Sequence, residues 1–267
     1  MLYNTGKSFI NYDLIGPTDA PVVCMTHSLT SDFGMWAEQV PAILALGFQV
    51  LRVDMRGHGG STPTQGEYSM EELAADVVSL LDALDFKSDV HLIGLSMGGM
   101  IGQVIAADYP GRLASLMACC TAAKWQGDTD LMQNRLATVK ASGTLESIVA
   151  ANMERRYGPG YRARRPKRWE ALRDTFLGTS LDGYFGCMHA CMTHDVVDRL
   201  NNVDTPTLVL VGTEDLSTPP SDGQLIASKI KGARYVEIKD GYHFPNVEFD
   251  EDFNGIMVDW LEQFRTR

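Results

Sequence analysis

The chain has 267 residues, long enough to bury a sizeable core without disulfide or metal staples. Hydrophobic residues make up 45% and charged residues 21%, as expected of a globular enzyme, while a formal net charge of −11 argues against nucleic acid as a partner, because phosphate binding needs a basic face. No apolar run approaches the ~20 residues needed to span a bilayer, and Met1 to Asp13 lacks a positive region followed by an apolar core, so neither a membrane partner nor a secretory leader is expected.

In chain order, short apolar runs alternate with helix-period segments. Val22 to Thr26, Gln49 to Asp54, Val90 to Gly94, Leu113 to Cys119, Thr207 to Gly212 and Tyr235 to Ile238 read as buried strands. Ser69 to Leu84 carries apolar residues at Leu73, Val77, Leu80, Leu81 and Leu84, a helical stripe opened by a Ser69/Glu72 capping-box pair. Met97 to Asp108 and Glu251 to Phe264 also read as helices. Strands alternating with helices imply an α/β fold: a mostly parallel sheet with helices on both faces. Residues 124–193 break the rhythm. They offer no convincing strand and are rich in Arg, Met, Gly and Trp, so they read as a helical cap inserted into a core of residues 1–123 and 194–267.

The five cysteines, Cys24, Cys119, Cys120, Cys187 and Cys191, are odd in number and form no CxxC pair. That usage suits a reduced, cytoplasmic protein rather than a disulfide framework.

The strongest chemical signal is Gly94-Leu95-Ser96-Met97-Gly98, a GxSxG pentapeptide between a strand and a helix. A serine on such a turn projects its hydroxyl above the sheet, and flanking glycines let the chains pack closely around it. A serine hydroxyl needs a base to accept its proton. His243, in the loop Asp240 to Pro245 after the last expected strand, stands where the order Ser…Asp…His puts that base. His27 and His58 sit in early loops, His91 in a strand, and His189 and His194 in or near the cap. The acid should follow a late strand, which points to Glu214-Asp215, and the shorter side chain usual on such a turn favours Asp215, to hold the imidazole tautomer. Two backbone N–H groups are needed for an oxyanion. Met97 supplies one, and Leu29, in the loop His27-Ser28-Leu29-Thr30, supplies the other by position. The Asp54-Met55-Arg56-Gly57-His58-Gly59 loop lacks both a GxGxxG and a Walker lysine, and reads as structural. No metal set or cofactor motif is present.

Together the GHG loop, the GLSMGG elbow, the GTED turn and the late histidine resemble the α/β-hydrolase superfamily over nearly the whole chain. Val50 to Gly59, Gly94 to Gly102, Thr121 to Trp125 and His243 to Glu248 are similar to segments of the 3-oxoadipate enol-lactonase family. The resemblance implies a triad of Ser96, Asp215 and His243 acting without a cofactor on a small carboxylated lactone or ester. Arg155, Arg156, Arg162, Arg164, Arg165, Lys167 and Arg168 fall in a stretch with no acidic residue. One of them, or Arg135, could hold a substrate carboxylate, although a solvated face or a contact between subunits of a homo-oligomer is the commoner account of any given arginine in such a run. Ser28, Trp125 and Trp169 are the remaining candidates for the pocket wall. Two other readings keep the same residues: cleavage of a thioester or carbon–carbon bond, and a non-catalytic receptor on the same fold.

Overall fold

The computed structural model describes residues 1–265. Its centre is an eight-stranded sheet built from β1 (Leu2–Asn4), β2 (Phe9–Ile15), β3 (Val22–Thr26), β4 (Gln49–Val53), β5 (Val90–Leu95), β6 (Leu113–Cys119), β7 (Thr207–Gly212) and β8 (Arg234–Ile238). The spatial order is β1-β2-β4-β3-β5-β6-β7-β8. From β4 to β8 all neighbours run parallel, while β1 and β2 add an antiparallel edge. The six expected strands are all present. The two N-terminal strands were not expected, because β2 (FINYDLI) mixes polar with apolar positions and only Ile10 is fully buried.

Every residue of β3, β5 and β7 is buried, as strands covered on both faces require. Alternation sends Val22 and Cys24 into one core and Val23 and Met25 into the other. The first core is closed by α2 (Met70–Ala83), α3 (Met97–Asp108) and α9 (Pro220–Lys229), the second by α1 (Val40–Ala45) and α11 (Asp250–Leu261). The capping box of α2 is formed in both directions between Ser69 and Glu72. The helix expected over Glu251 to Phe264 ends at Leu261, and its last turn tightens to 3₁₀ geometry. The short four-residue α10 (Pro245–Glu248) precedes it.

Between β6 and β7 lie α4 (Thr129–Ser142), α5 (Glu146–Arg156), α6 (Tyr161–Arg164), α7 (Pro166–Gly178) and α8 (Leu181–Thr193), with no ladder strand among the described residues of that segment. Its ends meet. Lys124 and Asp195 form an isolated antiparallel β-bridge, Trp125 N–H donates to His194 O at 3.0 Å, and Val196 N–H donates to Ala123 O at 2.8 Å.

From β3 the chain moves to β4 on one side, then crosses back to β5 on the other. Loops leaving the carboxyl ends of β3 and β5 therefore diverge and open a crevice between them, the usual ligand position in such sheets.

Candidate functional site

Ser96 follows β5 directly and stands at the start of α3. Its φ of 56° and ψ of −115° are unusual for a residue with a side chain, a strain of about 1–3 kcal/mol that the surroundings must hold. They do so tightly. Ser96 N–H donates to Cys119 O at 2.9 Å, and Thr121 Oγ1 donates to Ser96 O at 2.7 Å. A Cβ on Gly94 would stand 2.2 Å from Gly98 O, and one on Gly98 would stand 2.1 Å from Thr26 O. Both glycines of the pentapeptide are thus required by backbone packing. Ser96 itself is half-buried, with the positive end of α3 behind it.

His243 Nδ1 lies 2.8 Å from Asp215 Oδ2. Asp215 is held from every side: Ser217 N–H and Thr218 N–H donate to Oδ1 at 2.8 and 3.0 Å, and Thr218 Oγ1 donates to Oδ2 at 2.8 Å. Burial pushes the Asp215 carboxyl upward, but His243 and the Thr218 donors outweigh it and keep its pKa below the ordinary range. A carboxylate so placed fixes the proton on Nδ1 and leaves Nε2 free to accept one. Glu214 is exposed and does not take this position.

Ser96 and His243 open onto one cavity of about 490 Å³. Ser28, Leu29, Trp125 and Arg135 line it as well, whereas Trp169 does not. Trp169 lies along a neighbouring cleft, beneath the Arg162 guanidinium at 4.4 Å. It shares the face of α7 with Leu172 and Phe176 but stands two turns before Phe176, the residue of α7 that reaches the cavity, so the expectation that Trp169 walls this pocket is not met. Met97, the first residue of α3, is wholly buried, and its N–H stands at the helix start.

The arginine-rich stretch separates into distinct uses. Arg164 pairs with Glu248, Arg165 with Asp250 and Arg168 with Glu38. Arg156 is buried and donates to backbone carbonyls of the Leu29–Thr30 loop. Arg155 and Arg135 line the cavity, and neither has a carboxylate partner among the described residues. Burial, with Arg155 beside it, lowers the pKa of Arg135.

Several contributors were not legible in the sequence. Thr218 completes the ligation of Asp215, and its spacing of three residues from an aspartate after a strand was the available signal. His27 and His58 are buried braces. His27 Nδ1 donates to Ser28 O at 2.7 Å while Nε2 accepts from Met55 N–H at 2.8 Å; His58 Nδ1 donates to Arg56 O at 2.9 Å while Nε2 accepts from Thr30 N–H at 3.0 Å. Both rings are therefore neutral, and burial lowers both pKa values, that of His58 to about 3. Asp222 also faces the cavity, and burial pushes its carboxyl up to about 6.

The family described as serine aminopeptidase S33 matches residues 17–250. 3-Oxoadipate enol-lactonase 2 of Acinetobacter baylyi is 31% identical, over 96% of this chain and 94% of that protein. Among solved structures, the enol-lactonase of Burkholderia xenovorans superimposes with a TM-score of 0.93 at 33% identity, over 98% of this chain and all of that one (100%). A thermophilic esterase from Thermogutta terrifontis, in a malate-bound structure, gives a TM-score of 0.89 at 28% identity, over 99% of this chain and 97% of that one. The chain is a hydrolase of the α/β-hydrolase superfamily and belongs to the serine aminopeptidase S33 family.

Proposed function

We propose that this hydrolase opens an ester or lactone bond of a small carboxylated substrate, with Ser96 as nucleophile, His243 as general base and Asp215 as the group that orients it. The observation that carries the reading is the shared cavity: Ser96 and His243 face the same 490 Å³ space as the Arg135 and Arg155 guanidiniums, which have no carboxylate partner among the described residues. Such a volume suits a small metabolite.

In the proposed cycle Ser96 Oγ attacks the carbonyl carbon as its proton passes to His243 Nε2. The imidazolium is stabilised by Asp215 through Nδ1–H. The tetrahedral oxyanion takes the N–H groups of Met97 and Leu29. Collapse breaks the bond to the leaving oxygen, which receives the proton from His243; in a lactone it stays attached as the far end of the acyl chain. Water then attacks the acyl-enzyme with the same base, returning Ser96. Arg135 and Arg155 would hold the carboxylate, with the helices of residues 124–193 acting as a cap that carries them. The likeness to enol-lactonases and to an esterase seen with malate supports a small anionic substrate.

The test is hydrolysis of five- and six-membered lactones and short p-nitrophenyl esters, each with and without a carboxylate, by wild type and Ser96→Ala. The expected result is a preference for the carboxylated members and a loss of about 10⁴–10⁶-fold in the variant. Equal rates in the two proteins would overturn the nucleophile assignment, and indifference to the carboxylate would overturn the substrate class.

A further inference from the structure

The loop after β3 can be accounted for one peptide at a time. In the Ser28–Leu29 peptide, the carbonyl accepts from His27 Nδ1 at 2.7 Å and from Ser31 N–H at 3.2 Å. The N–H of that peptide, on Leu29, meets no acceptor among the described residues. In the Leu29–Thr30 peptide both ends are taken: the carbonyl accepts from Arg156 Nη2 at 2.6 Å and the N–H donates to His58 Nε2 at 3.0 Å. Arg156 also reaches Thr30 Oγ1 at 2.6 Å and Thr30 O at 3.4 Å. Thr30 has a φ of 55°, a left-handed conformation that a threonine keeps only when its neighbours impose it.

Arg156 is equally tied to the other side of the site. Its own carbonyl accepts from Phe244 N–H at 3.0 Å, the residue that follows His243. Its guanidinium stands over the rings of Phe244 and Phe176, at 4.7 and 5.0 Å. The side chain has no carboxylate partner among the described residues although it is buried, so carbonyl dipoles and ring faces offset the cost of its charge. An arginine buried this way is spoken for. Nη1 and Nη2 are both committed to the loop, although the residue also lines the cavity beside Arg135 and Arg155.

We propose that Arg156 is a positioning residue that sets the oxyanion hole, joining the Leu29–Thr30 peptide, the His243–Phe244 segment and the last turn of α5 into one unit. Its main chain holds the segment bearing the base, and its side chain holds the loop bearing the Leu29 donor. Because α5 belongs to the helical cap, seating the cap and completing the oxyanion hole become the same event. The inference rests on the assignment of Leu29 N–H as an oxyanion donor.

The experiment compares wild type, Arg156→Met and Arg156→Lys on an uncharged ester, p-nitrophenyl acetate, and on its carboxylated counterpart, with circular dichroism and Tm as checks of folding. A trifluoromethyl ketone, which forms a tetrahedral oxyanion, and a product carboxylate, which does not, serve as inhibitors. Loss of the positioning is expected to lower kcat in Arg156→Met by about 10²–10³-fold on both esters, as loss of an oxyanion donor does. KM and the product Ki stay within a few-fold, and the ketone Ki rises in parallel with the fall in kcat. Lysine keeps the charge but not the fork, so Arg156→Lys should fall between the two. Should Arg156→Met fail to fold, Arg156→Lys alone decides by the same split between ketone and product. Wild-type kcat on the uncharged ester, or a change confined to KM for the carboxylated one, overturns the proposal and makes Arg156 a substrate ligand. Failure of the parent reading looks different: activity would then survive Ser96→Ala, whatever Arg156 does.

Discussion

Asp215 Oδ2 and His243 Nδ1 stand 2.8 Å apart, in a contact whose side chains are only 0% and 6% exposed. Water therefore cannot substitute for either partner. Replacing the carboxylate by an amide keeps the shape and most of the donors to Oδ1, but lets the imidazole adopt the wrong tautomer. Asp215→Asn is expected to lower kcat by about 10⁴-fold while leaving Tm close to wild type. A loss smaller than about tenfold, measured on the best ester of the panel, would assign the orienting role elsewhere.

Arg135 lines the cavity from α4 without an ion-pair partner among the described residues, so removing its charge should cost recognition rather than folding. Arg135→Met is expected to raise KM for carboxylated substrates by about 10–100-fold, the worth of a charge-assisted hydrogen bond, and to leave uncharged esters unaffected. A parallel loss on both classes would contradict this division of labour.

Much of this was legible in the sequence, and the reasons are physical. Continuous apolar runs such as Thr207–Gly212 mark strands buried on both faces, and the GxSxG glycines mark backbone crowding around Ser96. The antiparallel edge was less legible, because β2 is only partly buried and its pattern is weak. Arg156 was hidden for a different reason. Its partners Leu29 and Thr30 lie more than a hundred residues away along the chain, and no local spacing announces such a contact. Trp169 misled because an aromatic residue in a cap reads the same whether it faces the site or a neighbouring cleft.

The strain at Ser96 also separates two substitutions that are equal in activity. Ser96→Ala keeps a Cβ at φ 56°, whereas Ser96→Gly adopts that conformation without penalty. Both should be inactive, and the glycine variant should be the more stable by about 1–2 kcal/mol in urea titrations. Equal midpoints would show that the turn is relaxed.

Four buried histidines tie folding to pH. Burial holds His27, His58, His91 and His194 below their ordinary 6.5, the last three near 3, 4 and 4. The unfolded chain therefore takes up protons first as the pH falls below about 6.5. Stability should be flat above that value and decline below it, by up to about 1.4 kcal/mol per pH unit for each histidine, until the folded values are reached. Urea midpoints between pH 7.5 and 5 would check this. His194→Leu should remove one such increment from the slope, and an unchanged slope would contradict the assignment.

The ends of the helical insertion enter and leave the core side by side, through the backbone β-bridge between Lys124 and Asp195 and the Trp125–His194 and Val196–Ala123 hydrogen bonds. A segment closed at its base in this way is a replaceable cassette. The chain between the two ends can lengthen, shorten or change sequence without shifting the register of β6 or β7, since loop length adds little to the cost of closure. Arg135, Asn152 and Arg155 travel with the cassette, while Ser96, Asp215 and His243 stay with the sheet and its loops. Under the proposed reading, the groups that would select a substrate and those that would cleave it sit on separable parts of the chain, with Arg156, which also travels with the insertion, as the joint that an exchange must keep.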